Sequence, residues 1–332
     1  MNIIVPMAGM GKRMRPHTLT VPKPLIPIAG KPIVQRLIED IARVCNEKID
    51  EVNFIIGNFG EEVELELLKI ADSVGAIGKI SYQNDPLGTA HAILCAQESL
   101  KGNVIVAFAD TLFKADFVMD KTKDGIIWVH RIDDPSAFGV VKLDAYGTIL
   151  DFVEKPKTFV SDLAIIGIYY FKSGEDLHAE LQYLVDNNIK HGGEFQLTDA
   201  LLNMKNKGLK LTIGKVEEWL DCGNKNATVY TNQRVLANTT EKLVSDSYTN
   251  LNSVIVNPCY IGENVIISNS VIGPFTSVGS NTVIDHSIIS NSIIQNNTKI
   301  THANLRNTMI GNFVDYEGLV RELNIGDYSA IS

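Results

Sequence analysis

Only four cysteines, Cys45, Cys95, Cys222 and Cys259, occur in 332 residues, and no two of them make a C-x-x-C pair. That scarcity excludes a zinc ribbon and a disulfide framework and fits reduced thiols in the cytoplasm. Basic charge is also in deficit. Lysine and arginine number 30 against 39 acidic residues, a net charge of -9, which excludes a general nucleic-acid-binding surface and makes any functional cations local ones. No apolar run approaches the roughly 20 residues of a membrane span. The N-terminus has no basic segment ahead of its short apolar run, so no secretory signal is expected. A soluble, cytoplasmic chain with neither nucleic-acid nor membrane partner follows. Two phosphate-binding signatures are missing as well. No G-K-[ST] follows the first glycines, and the G-x-G at Gly9 and Gly11 lacks its third glycine and a helix start behind it. A Walker loop and a dinucleotide fingerprint are thereby excluded.

What is present is alternation. "NIIV" (2–5), "VNFIIG" (52–57), "KISYQ" (79–83), "NVIVAFAD" (103–110) and "GIIWVHR" (125–131) are short, β-branched and nearly continuous in apolar character. Strands buried on both faces read that way. Between them, Ile33 to Val44, Glu61 to Val74 and Thr89 to Leu100 have helical spacing, with Thr89 as the expected N-cap of the third. Strand–helix alternation predicts an α/β fold with a doubly wound, mixed but mostly parallel, Rossmann-like sheet. "FGVVKLDAYGTILDFVEKP" predicts a hairpin turning at Ala145-Tyr146-Gly147.

The pattern changes near residue 250. Ile255, Ile261, Ile267, Ile272, Val278, Ile284, Ile289, Ile294, Ile300, Leu305 and Ile310 recur every five or six residues, and "IGENVI", "IGPFTS" and "VGSNTV" repeat one template. This is the hexapeptide signature of a parallel β-helix, here of about three coils. So many positions in register disfavour ordinary antiparallel strands with Asn-rich turns. Two domains are expected, 1–240 and 250–332, joined by a segment with a helical pattern around Tyr230 to Leu236. A short β-helix has an open end and long flat faces, so a homo-oligomer formed through it is expected.

The stretch "MAGMGKRMRPHT" (7–18) follows the first strand, at the end where α/β sheets bind ligands. Pro16, Pro22, Pro24, Pro27 and Pro32 delay the next helix to about Ile33 and stiffen the loop that carries Lys12, Arg13, Arg15 and Lys23. A stiff loop holding cations and glycines suits a polyphosphate, with Gly9 and Gly11 letting backbone N–H groups approach it. Lys12 and Arg15 read equally well as solvated.

This stretch resembles the signature of the sugar-1-phosphate nucleotidylyltransferases: a glycine-rich run ending G-x-R, then P-x-T and later P-K-P. "YQNDPLGTAHA" (82–92), "AFADTLF" (107–113), "DDPSAFGVVKLD" (133–144), "VEKP" (153–156), "GGEFQLTDAL" (192–201) and "EWLDCGN" (218–224) match the same family in the same order. The resemblance covers about residues 1 to 240, and a left-handed β-helix tail is common in the family, including glucose-1-phosphate thymidylyl- and uridylyltransferases. It implies attack of a sugar 1-phosphate on the α-phosphorus of a nucleoside triphosphate, UTP or dTTP, with glucose 1-phosphate as acceptor and pyrophosphate released.

The resemblance also implies roles. Arg13 would grip the α- and β-phosphates with its planar fork, and Lys23 would bridge the phosphates of both substrates. Ala8, Gly9, Gly11, Gln83 and Gly88 would bind the nucleotide. The Gln83 amide, one donor and one acceptor, complements the N3–H and O4 edge of uracil or thymine. Gly139, Glu154 and Lys155 would hold the sugar phosphate. Asp110 and Asp221 would share one Mg²⁺ with phosphate oxygens; by spacing alone Asp110 reads equally as a turn former after its strand. Ala8 stands at one of the family's glycine positions, "AFAD" replaces the more usual G-D, and Ile166 stands where short thymidylyltransferases carry Thr. These departures leave the base and sugar open. GTP with mannose 1-phosphate, a second acyltransferase activity in the β-helix using His286 or His302, and a non-catalytic regulator are the alternatives.

Overall fold

A computed structural model describes residues 1–9, 11–45, 47–115 and 119–319. The chain divides into two compact units: Met1–Ile26 with Pro32–Gly223, and Pro27–Lys31 with the residues from Asn224 onward.

In the first unit β1 (Asn2–Pro6), α1 (Ile33–Cys45), β2 (Glu51–Ile56), α2 (Glu61–Ser73), β3 (Ile77–Tyr82), α3 (Thr89–Leu94) and β4 (Val104–Ala107) alternate along the chain. Strand β1 pairs in parallel with β2 on one side and β4 on the other, and β2 pairs in parallel with β3. Ile3, Ile4 and Val5 are fully buried, which explains a strand without polar alternation. The chain thus runs outward from β1 to β3 and returns to its other side in β4. The ends of β1 and β4 form the switch point of a doubly wound sheet. Helix α1 turns Ile33, Leu37, Ile41 and Cys45 inward, an apolar stripe at i, i+4 spacing.

The chain continues through β5 (Thr111–Lys114), β6 (Gly125–Arg131), β7 (Gly139–Leu143), β8 (Ile149–Glu154) and β9 (Leu163–Phe171), with α4 (Gly174–Asp186), α5 (Leu197–Asn206), β10 (Leu211–Lys215) and β11 (Glu218–Asp221) following. The strand order is β8-β7-β9-β4-β1-β2-β3, with β6 joined to β9 and β10, while β5 and β11 form a separate pair. Strand β9 runs antiparallel to β4, β6 and β7, so the sheet is mixed. The expected hairpin is β7–β8, and its turn is closed by hydrogen bonds from the Tyr146 and Thr148 N–H groups to the Asp144 carboxylate. None of the four cysteines is bonded to another.

Three local expectations need correction. The strand expected over 103–110 ends at Ala107, and Asp110 lies in the turn before β5. That turn forms because the Phe108 N–H donates to the Gly167 carbonyl and the Thr111 N–H to the Phe108 carbonyl. The helix expected over 89–100 stops at Leu94 and gives way to a 3₁₀ turn at Gln97–Ser99. Thr89 is not its N-cap. Gly88 takes that position at φ +118°, and the Thr89 hydroxyl instead accepts from the Leu197 N–H at 2.9 Å, at the start of α5. An unsatisfied N–H at a distant helix start draws this hydroxyl away from its own helix.

In the second unit α6 (Lys225–Asn238) begins at Asn224, whose side chain accepts from the Ala227 N–H. The fully buried Asn232 of this helix accepts from the Ala29 N–H at 2.9 Å and the Ser277 hydroxyl at 2.7 Å. Residues 27–31 are fastened to this unit in that way. The repeats form the expected parallel β-helix as three parallel sheets of five, four and four strands. The described residues therefore make more coils than the three expected. Partners in register fall 17 residues apart at Ile267 and Ile284 but 16 apart at Ile284 and Ile300. Sides of five residues shorten the coil. Ile261, Ile267, Ile272, Val278, Ile284, Ile289, Ile294 and Ile300 stack in its interior, at most 1% exposed. Asn264, Asn281, Asn291 and Asn307 turn corners at positive φ, a conformation asparagine tolerates, and they pair side chain to side chain between coils.

Candidate active site

The loop after β1 has more internal order than its prolines alone suggest. Three 3₁₀ turns, Lys12–Met14, His17–Leu19 and Lys23–Leu25, carry it, and Met14 is its fully buried anchor. The Thr18 hydroxyl donates to the Gly11 carbonyl at 2.8 Å.

The two glycines of this loop play different parts. Gly11 sits at φ +53°, and a Cβ there would lie 3.0 Å from Thr18 Cγ2 and 3.1 Å from Lys23 Cβ. Its lack of a side chain serves the loop's own geometry. A Cβ on Gly9 would meet nothing within 4 Å, and Gly9 lines a cleft. Gly9, then, is the glycine whose substitution fills open space in the cleft. Gly11→Ala is expected to lower the melting temperature, since a left-handed non-glycine residue costs about 1–2 kcal/mol. Gly9→Ala is expected to leave the melting temperature unchanged and raise the nucleotide KM. Thermal melts and steady-state kinetics on the two variants test the distinction; equal effects on both readouts would refute it.

Two cavities share a wall at the carboxyl ends of β1 and β4. The first, about 280 Å³, is lined by Ala8, Gly9, Gly11, Lys23, Gln83 and Gly88, with Pro86, Phe108, Asp110 and Glu194. The second, about 230 Å³, is lined by Arg13, Gly139, Glu154 and Asp221, with Phe138, Ile166, Thr198 and Trp219. Thr89, Phe108 and Asp110 border both. All five residues expected to contact the nucleotide thus face one space, and Gly139 and Glu154 face the other.

Asp110 and Asp221 meet through the β5–β11 pair. Asp221 lies opposite Thr111, the neighbour of Asp110, and the Cys222 N–H donates to the Asp110 carbonyl at 2.9 Å. Lys23 Nζ contacts Asp110 Oδ2 at 2.7 Å, with the lysine side chain 12% exposed. The Gly223 N–H donates to Asp221 Oδ1 at 2.9 Å. A Cβ on Gly223 would lie 3.2 Å from Arg13 Nη2, which places the guanidinium beside the same glycine. Burial, and then the Asp110 charge, hold the Asp221 carboxyl above the usual aspartate range, against the Gly223 N–H and the charges of Lys23 and Arg13. The cluster is two carboxylates interleaved with two cations. Among the described residues no group of three His, Cys, Asp or Glu side chains is arranged to hold a metal ion. Any cation at the two aspartates would complete its shell from ligand oxygens and water.

In the lining of the second cavity Gly139 and Glu154 are register partners on β7 and β8. A Cβ on Gly139 would lie 3.0 Å from Glu154 Oε2, so the glycine lets the carboxylate lie over the strand. Burial raises the Glu154 carboxyl above the ordinary range, with Lys155 opposing the shift. Lys155 lines neither cavity. Its side chain is 62% exposed, with Nζ 3.6 Å from Glu154 Oε1.

Gln83 has a narrower part than its amide suggests. Its Nε2 donates to the Gly88 carbonyl at 3.2 Å and lies 3.2 Å from His91 Nδ1, so the nitrogen end of the amide faces the protein. Arg13 borders the second cavity beside Asp221 and does not line the first. Sequence reasoning missed Phe108, Thr198 and Trp219. Phe108 and Trp219 lie within two residues of Asp110 and Asp221, the one signal that points to them, and Trp219 packs edge-on against Phe138 at 4.8 Å.

A protein-family model described as nucleotidyl transferase matches residues 2–238. Over 364 aligned residues the chain is 30% identical to a glucose-1-phosphate thymidylyltransferase of Streptomyces antibioticus, spanning 100% of this chain and 99% of that protein. It is 30% identical to the bifunctional protein GlmU of Methanococcus vannielii, spanning 91% of this chain and 75% of that one. It is 28% identical to the low-salt glycan biosynthesis nucleotidyltransferase Agl11 of Haloferax volcanii, spanning 91% and 90%. A Bacillus anthracis crystal structure described as a glucose-1-phosphate thymidylyltransferase superposes with a TM-score of 0.62 at 21% identity, over 73% of this chain and 97% of that one. At that identity the likeness is one of fold.

Proposed function

The chain belongs to the nucleotidyl transferase family, and from that premise we propose that its cleft joins a sugar 1-phosphate to the α-phosphorus of a nucleoside triphosphate and releases pyrophosphate. The observation that carries this reading is the wall between the two cavities, where Lys23, Asp110, Arg13 and Asp221 converge. The first cavity takes the nucleotide and the second the sugar. UTP or dTTP and glucose 1-phosphate are the substrates this reading favours, in line with the thymidylyltransferase relatives.

The nucleophile is a phosphate oxygen that is already anionic, so no base is needed. The task is to bring two polyanions together and to stabilise charge on the equatorial and leaving oxygens. Lys23, largely buried between the cavities, holds a fixed positive charge where both phosphates must meet. Arg13 offers a planar fork to phosphate oxygens on the second side. The Gly9 backbone leaves room for the triphosphate to approach. Glu154 accepts from sugar hydroxyls across from it.

Asp110 and Asp221 fit Mg²⁺: hard carboxylate oxygens, one of them held up by burial and then by the other's charge, gain from a shared cation. Bound there, Mg²⁺ would neutralise charge on phosphate oxygens.

Pyrophosphate release measured across nucleoside triphosphates and sugar 1-phosphates tests the reading. Turnover is expected with UTP or dTTP and glucose 1-phosphate; no release with any pair would overturn it. The GlmU relatives, named bifunctional, favour a second reading in which the β-helix transfers an acyl group. His286 and His302 stack there with ring centroids 5.3 Å apart. Thiol release from acetyl-CoA with a sugar-amine phosphate distinguishes it. No helix among the described residues is long and apolar enough to cross a membrane. The exposed ladder of Val254, Val271 and Ile288 on one β-helix sheet supports a homo-oligomer, which light scattering would report; a monomer at micromolar concentration would refute it.

A further inference from the structure

The first cavity contains a hydrogen-bond arrangement centred on Gln83. Gln83 follows β3, and its backbone N–H donates to the Ile56 carbonyl at 2.9 Å. Its Nε2 reaches the Gly88 carbonyl and His91 Nδ1, each at 3.2 Å. A carbonyl oxygen only accepts, so Gly88 dictates which end of the amide is NH₂. The Gly88 carbonyl is itself fixed, because it accepts from the Ala92 N–H at 3.0 Å in the first turn of α3. Gly88 has no freedom to carry a side chain: at φ +118°, a Cβ would lie 2.4 Å from the Phe195 carbonyl oxygen. The second amide hydrogen falls to His91 Nδ1, which accepts it with the ring proton on Nε2. Among the described residues the Gln83 oxygen accepts nothing, while Gln83 lines the cavity.

We infer that His91 is a positioning residue that locks the Gln83 amide with Oε1 toward the base, so that the cavity selects nucleotides whose pairing edge presents a ring N–H. This rests on reading the first cavity as the nucleotide site. Uracil and thymine at N3, and guanine at N1, bring a donor to Oε1. Cytosine N3 and adenine N1 bring a lone pair, and two acceptors then face each other. Turning the amide over to suit them would set its oxygen against the Gly88 carbonyl and His91 Nδ1. The penalty therefore comes from residues that do not touch the base.

The test compares kcat/KM for UTP and CTP, with glucose 1-phosphate fixed, and direct titration of both nucleotides into the enzyme. The wild type is expected to favour UTP. His91→Phe keeps the ring and removes Nδ1; it should narrow the UTP-to-CTP ratio by about tenfold, the worth of one hydrogen bond, through KM with kcat retained. His91→Asn, whose side-chain oxygen can replace Nδ1 as acceptor, should restore the ratio. His91→Leu repeats the removal in a different shape should the Phe variant not fold. If the variants lacking Nδ1 weaken both nucleotides equally, or keep the ratio while Gln83→Ala collapses it, the positioning role is overturned and the base site stands. If Gln83→Ala also keeps the ratio, the first cavity is not the base site and both readings fall.

Discussion

Asp221→Asn is expected to lower kcat by about 10²–10³-fold, a loss of about 3–4 kcal/mol of transition-state stabilisation, without lowering the stability of the fold. The two effects separate because of the charge arrangement. Asp221 is a partly buried carboxylate held above its usual range by burial and by Asp110. Burial and Asp110 disfavour its charged form more than the Gly223 N–H, Lys23 and Arg13 favour it, and a bound cation would reverse that balance. An amide of the same shape removes that repulsion. Asp110→Asn is expected to lower kcat as severely but also to destabilise the protein, because it leaves Lys23, with a side chain 12% exposed, without its 2.7 Å partner. Steady-state kinetics with thermal melts in chelator on both variants check this. Near-normal turnover in either variant would remove that aspartate from the proposed metal site, and equal melting temperatures would refute the charge argument.

Arg13→Ala is expected to reduce kcat by about 10²–10³-fold, the scale seen when one preorganised donor to a developing charge is lost, and to change the nucleotide KM much less. The guanidinium borders the second cavity beside Asp221, on the side where the attacking phosphate would arrive. Arg13→Lys separates two roles for the charge. If Arg13 only balances Asp221, a lysine restores activity. If its planar fork grips two phosphate oxygens, a point charge does not. We expect no rescue. Full activity of Arg13→Lys would show that charge balance alone is its task, and unchanged kcat in Arg13→Ala would show that the loop is structural.

Local pattern determined much of this protein. The continuous apolar strands, the inward stripe of α1 and the five-to-six-residue repeat were all legible, because each is a periodicity of burial written directly into side-chain type. The first strand, the glycine-to-proline loop after it and the ordered motifs also placed the expected nucleotide residues along the chain. What local pattern did not carry was which groups meet. Thr89 read as a helix cap, but its hydroxyl serves the start of α5. Gly9 and Gly11 looked equivalent, yet one faces open space and the other packs on Thr18 and Lys23. Gln83 read as a two-way amide, and its nitrogen end lies against the Gly88 carbonyl and His91. Lys155 looked like a site residue and lines neither cavity, whereas Trp219 and Thr198 do. Asp110 and Asp221 come together only because β5 and β11 pair across about a third of the chain. The physical reason is common to all of these. Burial periodicity is a property of neighbours in sequence, but hydrogen-bond partners, charge neighbours and the direction of a Cβ depend on which distant segments the sheet brings alongside.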